Sequence, residues 1–271
     1  MIALTELDKI LRGILNGSVS VFELPVSLYA YTCNQLNNSL LAGFNVAAQG
    51  EFFGSPTEAE KAMLYRHNIG RFSGAKTWQE INTLTSVAFD EDGKRRPFSQ
   101  FRAIGQKVSE QYNKHWLASE QDAVIAQSQS ARQWLKIEGE RDLFPILEYR
   151  TAEDDRVRSD HAALDGLTRP ATDAVWDSLL PPNDWGCRCI VLQHTVDKVV
   201  TPRDEANAQV AAQMQHFKEH AEFKHNAGKV DFVFNESGKG QHSYFQVPRE
   251  FEDDLRDNFR LPAIEEVTEW R

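Results

Sequence analysis

At 271 residues, with 41% hydrophobic and 26% charged positions, the chain has the make-up of a globular protein that buries one large core or two modest ones. A formal net charge of −10 opposes wrapping of bare nucleic acid, which needs a surplus of Lys and Arg to neutralise phosphates. No run approaches the roughly eighteen consecutive apolar residues of a membrane span, and three cysteines in so long a chain exclude a disulfide scaffold and point to a reducing compartment. The start, "MIALTELDKILRGILNG", lacks a basic n-region and is not expected to act as a secretory signal. The most basic stretch, "DGKRRPFSQFR", reads as a solvated turn.

Residues 1–138 read as mostly helical. An amphipathic start carries Ile10, Leu11, Ile14 and Leu15. Pro25 opens a second helix, because a proline in the first turn gives up an N–H that has no intrahelical partner. Ser55-Pro56, followed by Thr57 and Glu58, starts a third, which Gly70 and Gly74 are expected to break. "TWQEINTLTSVAFD" then makes a helix ended by "DEDGKRRP". From Phe98 to about Glu138 the chain reads as one long helix or a closely kinked pair. It holds no proline, only Gly105 before Gly139, and Phe101, Ile104, Val108, Tyr112 and Trp116 recur at steps of three and four.

The texture changes near Gly139, which separates a module over 139–246 and an acidic tail over 247–271 from the helical region. "FPILEYRTA" predicts a strand at Ile146–Arg150. "DDRVRSDHAALDG" predicts an acid-capped helix with Val157, His161 and Leu164 at helical spacing, stopped at Gly166. A helical turn near Val175–Leu180 precedes "PPNDWGCRC", and 187–193 and 230–234 read as two further strands. A helix opened by Pro202 and ending at Asn226-Ala227-Gly228 lies between them. The expected fold class is α+β: a helical N-terminal region, then a compact module whose small β-sheet is covered by helices.

On a strand, Cys187 and Cys189 project to one face while Arg188 points the other way. His161 and Asp165, one helical turn apart, share a face. Two thiolates and an imidazole are three of the four ligands of a structural zinc, which Asp165 or His194 would complete. Two other readings stay open: small buried hydrophobes beside a core histidine, or a redox pair. The carboxylates Glu148, Asp154, Asp155, Asp160 and Asp165 invite metal-assisted hydrolysis, with Glu148, Asp155, His161 and Arg158 around the centre. Against that, Asp154 and Asp155 stand where a helix N-terminus favours negative charge, with Arg150, Arg156 and Arg158 near enough to pair with them. No GxSxG, HExxH, Walker or GxGxxG motif occurs, and no catalytic residue is assigned. Trp176 and Trp185, flanking the loop that leads to the cysteines, read as plugs in the side of the core.

Together, "EYRTAEDDRVRSDHAALDG" and "PPNDWGCRCIVLQ" resemble the two ordered signature blocks of the phage Mu F-like head morphogenesis family, the minor capsid proteins. Arg150, Thr151, Asp155, Arg158, His161, Asp165 and Gly166 match the first block. Pro181, Pro182, Asn183, Gly186, Cys187, Arg188 and Cys189 match the second. "FKHNAGKVDFVF" and "HSYFQVP" look similar to the downstream part of such proteins. The resemblance implies a structural role inside the head of a tailed phage or prophage. Its implied partners are the portal protein and capsid or scaffold components during assembly in the host cytoplasm, and in some members the packaged DNA. The long 98–138 helix would supply a docking face through its apolar stripe, unless that stripe is buried within its own bundle. A fused C-terminal toxin, present in some relatives, is expected to be absent. A metal such as zinc, or a tight polar cluster, would staple the module. The competing reading is a metal-assisted hydrolase or nuclease, or a host-directed transferase, built on the same module.

Overall fold

A computed structural model describes residues 2–45 and 55–248, so nearly all of the expected acidic tail lies outside the described residues. Helix α1 (Leu4–Asn16) buries Leu7, Ile10 and Leu11 and ends at Gly17, which takes the left-handed φ of 82° that glycine alone adopts without strain. Helix α2 (Val26–Gly43) follows Pro25, as expected. Helix α3 (Pro56–Val87) starts on a capping box: Ser55 Oγ accepts from the Glu58 N–H, and the Glu58 carboxylate accepts from the Ser55 N–H. The predicted break at Gly70 and Gly74 does not occur. A glycine costs a helix only about 1 kcal/mol relative to alanine, and here Ile69, Phe72, Ala75 and Ile81 are all fully buried around it. Packing overrides local propensity.

Helix α4 (Phe98–Glu110), a π-helical stretch (Gln111–Trp116) and α5 (Leu117–Glu140) form the continuous element expected from Phe98. Helices α2, α3 and α5 pack mutually, with α1 and α4 against α3. Among the described residues no helix is long and apolar enough to cross a membrane.

Among the described residues the sheet has three strands in the order β2-β1-β3, both outer strands antiparallel to the central one. The prediction of β1 (Ile146–Arg150) holds. β3 (Ile190–His194) begins after the cysteines, not at Cys187, and β2 (Thr168–Pro170) takes the place expected for 230–234. Residues 230–234 are not a strand because helix α3 satisfies their backbone. Asn68 Oδ1 accepts from the N–H groups of Val233 and Phe234, Asn68 Nδ2 donates to the Phe234 carbonyl, and Lys61 donates to the Val230 carbonyl. One asparagine thus does the work of a neighbouring strand.

Helix α6 (Ser159–Ala162) is a single turn and not the longer helix predicted up to Gly166. Helix α7 (Trp176–Leu179) matches the expected turn, and α8 (Arg203–His216) stops ten residues short of Asn226. Trp176 is fully buried and donates its indole N–H to the Pro170 carbonyl at 3.0 Å, the plug expected of it. Helix α5 joins two cores. Val124 and Ala131 pack with α2, α3 and the returning segment Ala227–Tyr244, while Trp134 and Ile137 pack with the sheet, α7 and α8. Gly228 is required at that return, since a Cβ there would fall 2.4 Å from Trp134.

Candidate metal centre

The Pro181–Pro182 cis peptide begins the loop that carries the cysteines. Asn183 anchors it: its Oδ1 accepts from the Tyr149 hydroxyl at 2.9 Å, and its carbonyl accepts from Gln213 of α8. Asp184 accepts from the Cys187 N–H through its carbonyl and from the Trp185 N–H through Oδ1. Gly186 turns the chain at a φ of 66°, a conformation that favours glycine. The result brings both sulfurs to one imidazole. Cys189 Sγ lies 3.6 Å and Cys187 Sγ 3.8 Å from Nδ1 of His161, which is 2% exposed. All three cysteines of the described chain are free thiols.

Among the described residues, His161, Cys187 and Cys189 are the one group of three such donors whose ligand atoms fall within 4.8 Å of one another. These three could hold a metal ion. The Cys189 thiol donating to it, together with His161 and the Asn183 N–H, outweighs burial and holds the Cys187 thiol well below its ordinary value, while that same bond and burial push Cys189 up. A hollow of about 10 Å³ adjoins the three donors, bordered by Ala152, Arg156 and Arg158.

Asp165 is not brought into this group. Because α6 ends at Ala162 and Gly166 takes a φ of 75°, the expected shared face with His161 does not form. Asp165 instead accepts from the Thr151 N–H at 2.8 Å and hydroxyl at 3.1 Å, and pairs with Arg150 at 3.4 Å. His194 is not a donor to the group either; its Nε2 lies 2.7 Å from Glu148. Glu148 alternates along β1 with Tyr149, whose ring packs in the core with Cys189, so Glu148 faces the opposite side of the sheet. Burial would raise the Glu148 carboxyl, but Lys198, Arg150 and His194 more than reverse this and hold it below the usual carboxylate range. Asp155 stands exposed. Asp154 and Asp155 do not cap a helix, since no helix begins there; Asp154 grips Arg188 through two bonds of 2.5 and 2.7 Å. Arg158 donates to the Trp185 carbonyl and pairs with Asp184.

The family model described as "Phage Mu protein F like protein" matches residues 94–192. The chain carries a Mu F-like region. That region spans α4, the π-helical stretch and α5 as well as the metal-donor group and most of the sheet. Two curated relatives are similar over shorter stretches. The Mu-like prophage FluMu F protein of Haemophilus influenzae is 47% identical over 47 residues, which is 17% of this chain and 11% of that protein. A protein F of Escherichia phage Mu, provisionally named for capsid assembly, is 40% identical over 50 residues, 18% of this chain and 11% of its own length. The matched stretches therefore span about a tenth of these relatives, and no solved structure matches the chain.

Sequence reasoning missed two residues that build the centre, Tyr149 and Asp184. Tyr149 was visible only as a strand residue, and Asp184 as a loop acid. Their roles depend on contacts between segments far apart in the chain.

Proposed function

We propose that this Mu F-like chain is a structural minor capsid protein of a tailed phage or prophage. It acts in head morphogenesis, sits on the portal inside the procapsid and head, and uses its metal centre as a staple. The observation that carries this reading is how the two signature blocks spend their side chains. Arg150 and Thr151 hold Asp165, Arg188 holds Asp154, Arg158 holds Asp184 and the Trp185 carbonyl, and Asn183 holds Tyr149. The Arg188, Arg158 and Asn183 contacts bolt the two blocks to each other, those to Asp165 close the first block on itself, and together they leave few polar groups for chemistry. Catalysis needs groups free to engage a substrate.

Zinc suits the donors. With Zn–S near 2.3 Å and Zn–N near 2.0–2.1 Å, neighbouring sulfur and nitrogen ligands of a tetrahedron stand about 3.5 Å apart, close to the 3.6 and 3.8 Å found. His161, Cys187 and Cys189 would hold the ion, which would tie α6 to the loop leading into β3 and so supply folding energy. Three donors and a free corner also occur in catalytic zinc sites. The hollow of about 10 Å³ admits little more than one water, whereas ligand pockets run to about 300 Å³ and more. A hydrolase, nuclease or transferase reading has no substrate-sized opening at this centre.

Purified without chelators, the chain is expected to carry about one zinc. Cys187→Ser and His161→Ala should each lose it and lower the urea unfolding midpoint, as should a strong chelator on the unmodified protein. Elemental analysis below a tenth of an equivalent (~0.1), with an unchanged midpoint in Cys187→Ser, would remove the staple. The assembly role is tested separately. Co-expressed with the portal protein of its own phage or prophage, the chain should co-elute in gel filtration. A clean separation of the two proteins would sink the portal assignment. The net charge of −10 leaves contact with packaged DNA secondary to protein partners.

A further inference from the structure

A cleft lies away from the metal donors, where the π-helical stretch meets the loop of Trp185 and the returning segment. It has a volume of about 510 Å³, within the range of small-ligand sites, which favour such junctions between substructures. Three aromatic side chains, Trp116, Trp185 and Tyr244, and the ring of His242 line it together with two carboxylates, Glu120 and Glu222. The rest of its lining is serine and glutamine, and among the described residues no lysine or arginine contributes. His242 is neutral at physiological pH, because burial, aided by the nearby Lys76 charge, pushes it down to about 4.

The rings are held in order. Tyr112 packs edge-on against Trp116 at 4.7 Å and lies nearly parallel to Tyr244 at 6.1 Å, while His242 stands 4.8 Å from Tyr244 and 6.2 Å from Trp185. Trp116 ends the π-helical stretch and is 41% exposed at the cleft. A π-turn inside an α-helix is uncommon and is found mostly at functional positions, since it gives up regular hydrogen bonding to redirect side chains. Here it buries Tyr112 and Asn113 and leaves the next indole facing solvent. The fold already sets a cation against one of these rings: buried Lys76 sits 5.6 Å from the centre of the Tyr244 ring. Glu120 is committed to Lys76, whereas Glu222 is partly exposed and, among the described residues, pairs with His220 at 3.6 Å.

We infer that this cleft binds an alkyl-guanidinium or alkyl-ammonium cation, sandwiched by the Trp116, Trp185 and Tyr244 rings and neutralised by Glu222. Aromatic faces attract cations through their quadrupoles, and a carboxylate at the rim adds charge pairing. The cation could be an arginine or lysine side chain of a partner protein or a free polyamine. The inference does not depend on the metal staple or on portal association.

Isothermal titration calorimetry on the full chain tests it with two probes, a blocked Ala-Arg-Ala tripeptide and spermidine, and with the citrulline tripeptide as neutral control. Saturable one-to-one binding of either cationic probe is expected, with the citrulline peptide at least about tenfold weaker. Binding of the peptide alone identifies a protein side chain as the source, and of spermidine alone a free polyamine. Glu222→Gln and Trp116→Ala should each weaken binding by about tenfold. Glu222→Gln alters a partly exposed residue and keeps the fold as its own control. Absence of saturable binding by both cations, equal affinity for citrulline, or full affinity in Glu222→Gln would overturn the assignment.

Discussion

Lys76→Met is expected to lower stability by about 3–5 kcal/mol, because it strands the Glu120 carboxylate in the helical core. Lys76 and Glu120 are 1% and 3% exposed and in direct contact. Burial pushes the ammonium down and the carboxyl up, so each group opposes its own charge and is kept by its partner. Glu80 offers no substitute. Burial, only partly offset by the Asn113 amide, raises it to about 8, so it is protonated at neutral pH. Glu120→Leu alone should cost as much, by leaving the ammonium unpaired. The double variant Lys76→Met/Glu120→Leu should cost less than either single change, because apolar groups of similar size tolerate burial that lone charges do not. Urea unfolding midpoints of the four proteins measure the cycle. Simple additivity of the two single losses would show that the pair is not coupled.

Asn68→Ala should have the next largest effect, about 3–5 kcal/mol from several buried backbone groups losing their partners at once. Asn68 is 2% exposed and spans the Val233 and Phe234 N–H groups, the Phe234 carbonyl and the Glu236 carboxylate, with distances of 2.8–2.9 Å. The loss should be local first. Amide hydrogen exchange at Val233 and Phe234 should accelerate before the sheet core around Trp176 loosens. Since His242 and Tyr244 follow on the same returning segment, binding in the aromatic cleft should weaken in parallel. Continued protection of those two amides, with a stability loss below about 1 kcal/mol, would mean that water or neighbouring groups replace the asparagine.

Local signals in the chain set much of the outcome. The capping box at Ser55, the apolar stripe from Phe98, the Pro-opened helices, the strand at Ile146–Arg150 and the Trp176 plug are all signalled by residue types within a few positions of one another. The meeting of His161 with Cys187 and Cys189 was also legible, although for a partly mistaken reason. The cysteines precede β3 in a loop, and Asn183, Asp184 and Gly186, not strand alternation, turn both sulfurs inward. Asp165 misled because helical spacing was assumed where the chain makes one turn and then bends at Gly166.

By itself, then, the sequence determined the starts of α2, α3, α4 and α8, the α+β class, the two signature blocks and the thiol–imidazole trio. Only the tertiary structure decided that α3 runs through two glycines, that 230–234 bonds to Asn68 and not to a strand, and that Lys76 with Glu120 underlies an aromatic cleft. The physical reason is range. Caps, stripes and turns are settled by neighbours along the chain, whereas burial of a glycine, a lysine or a backbone amide depends on which distant segment packs against it.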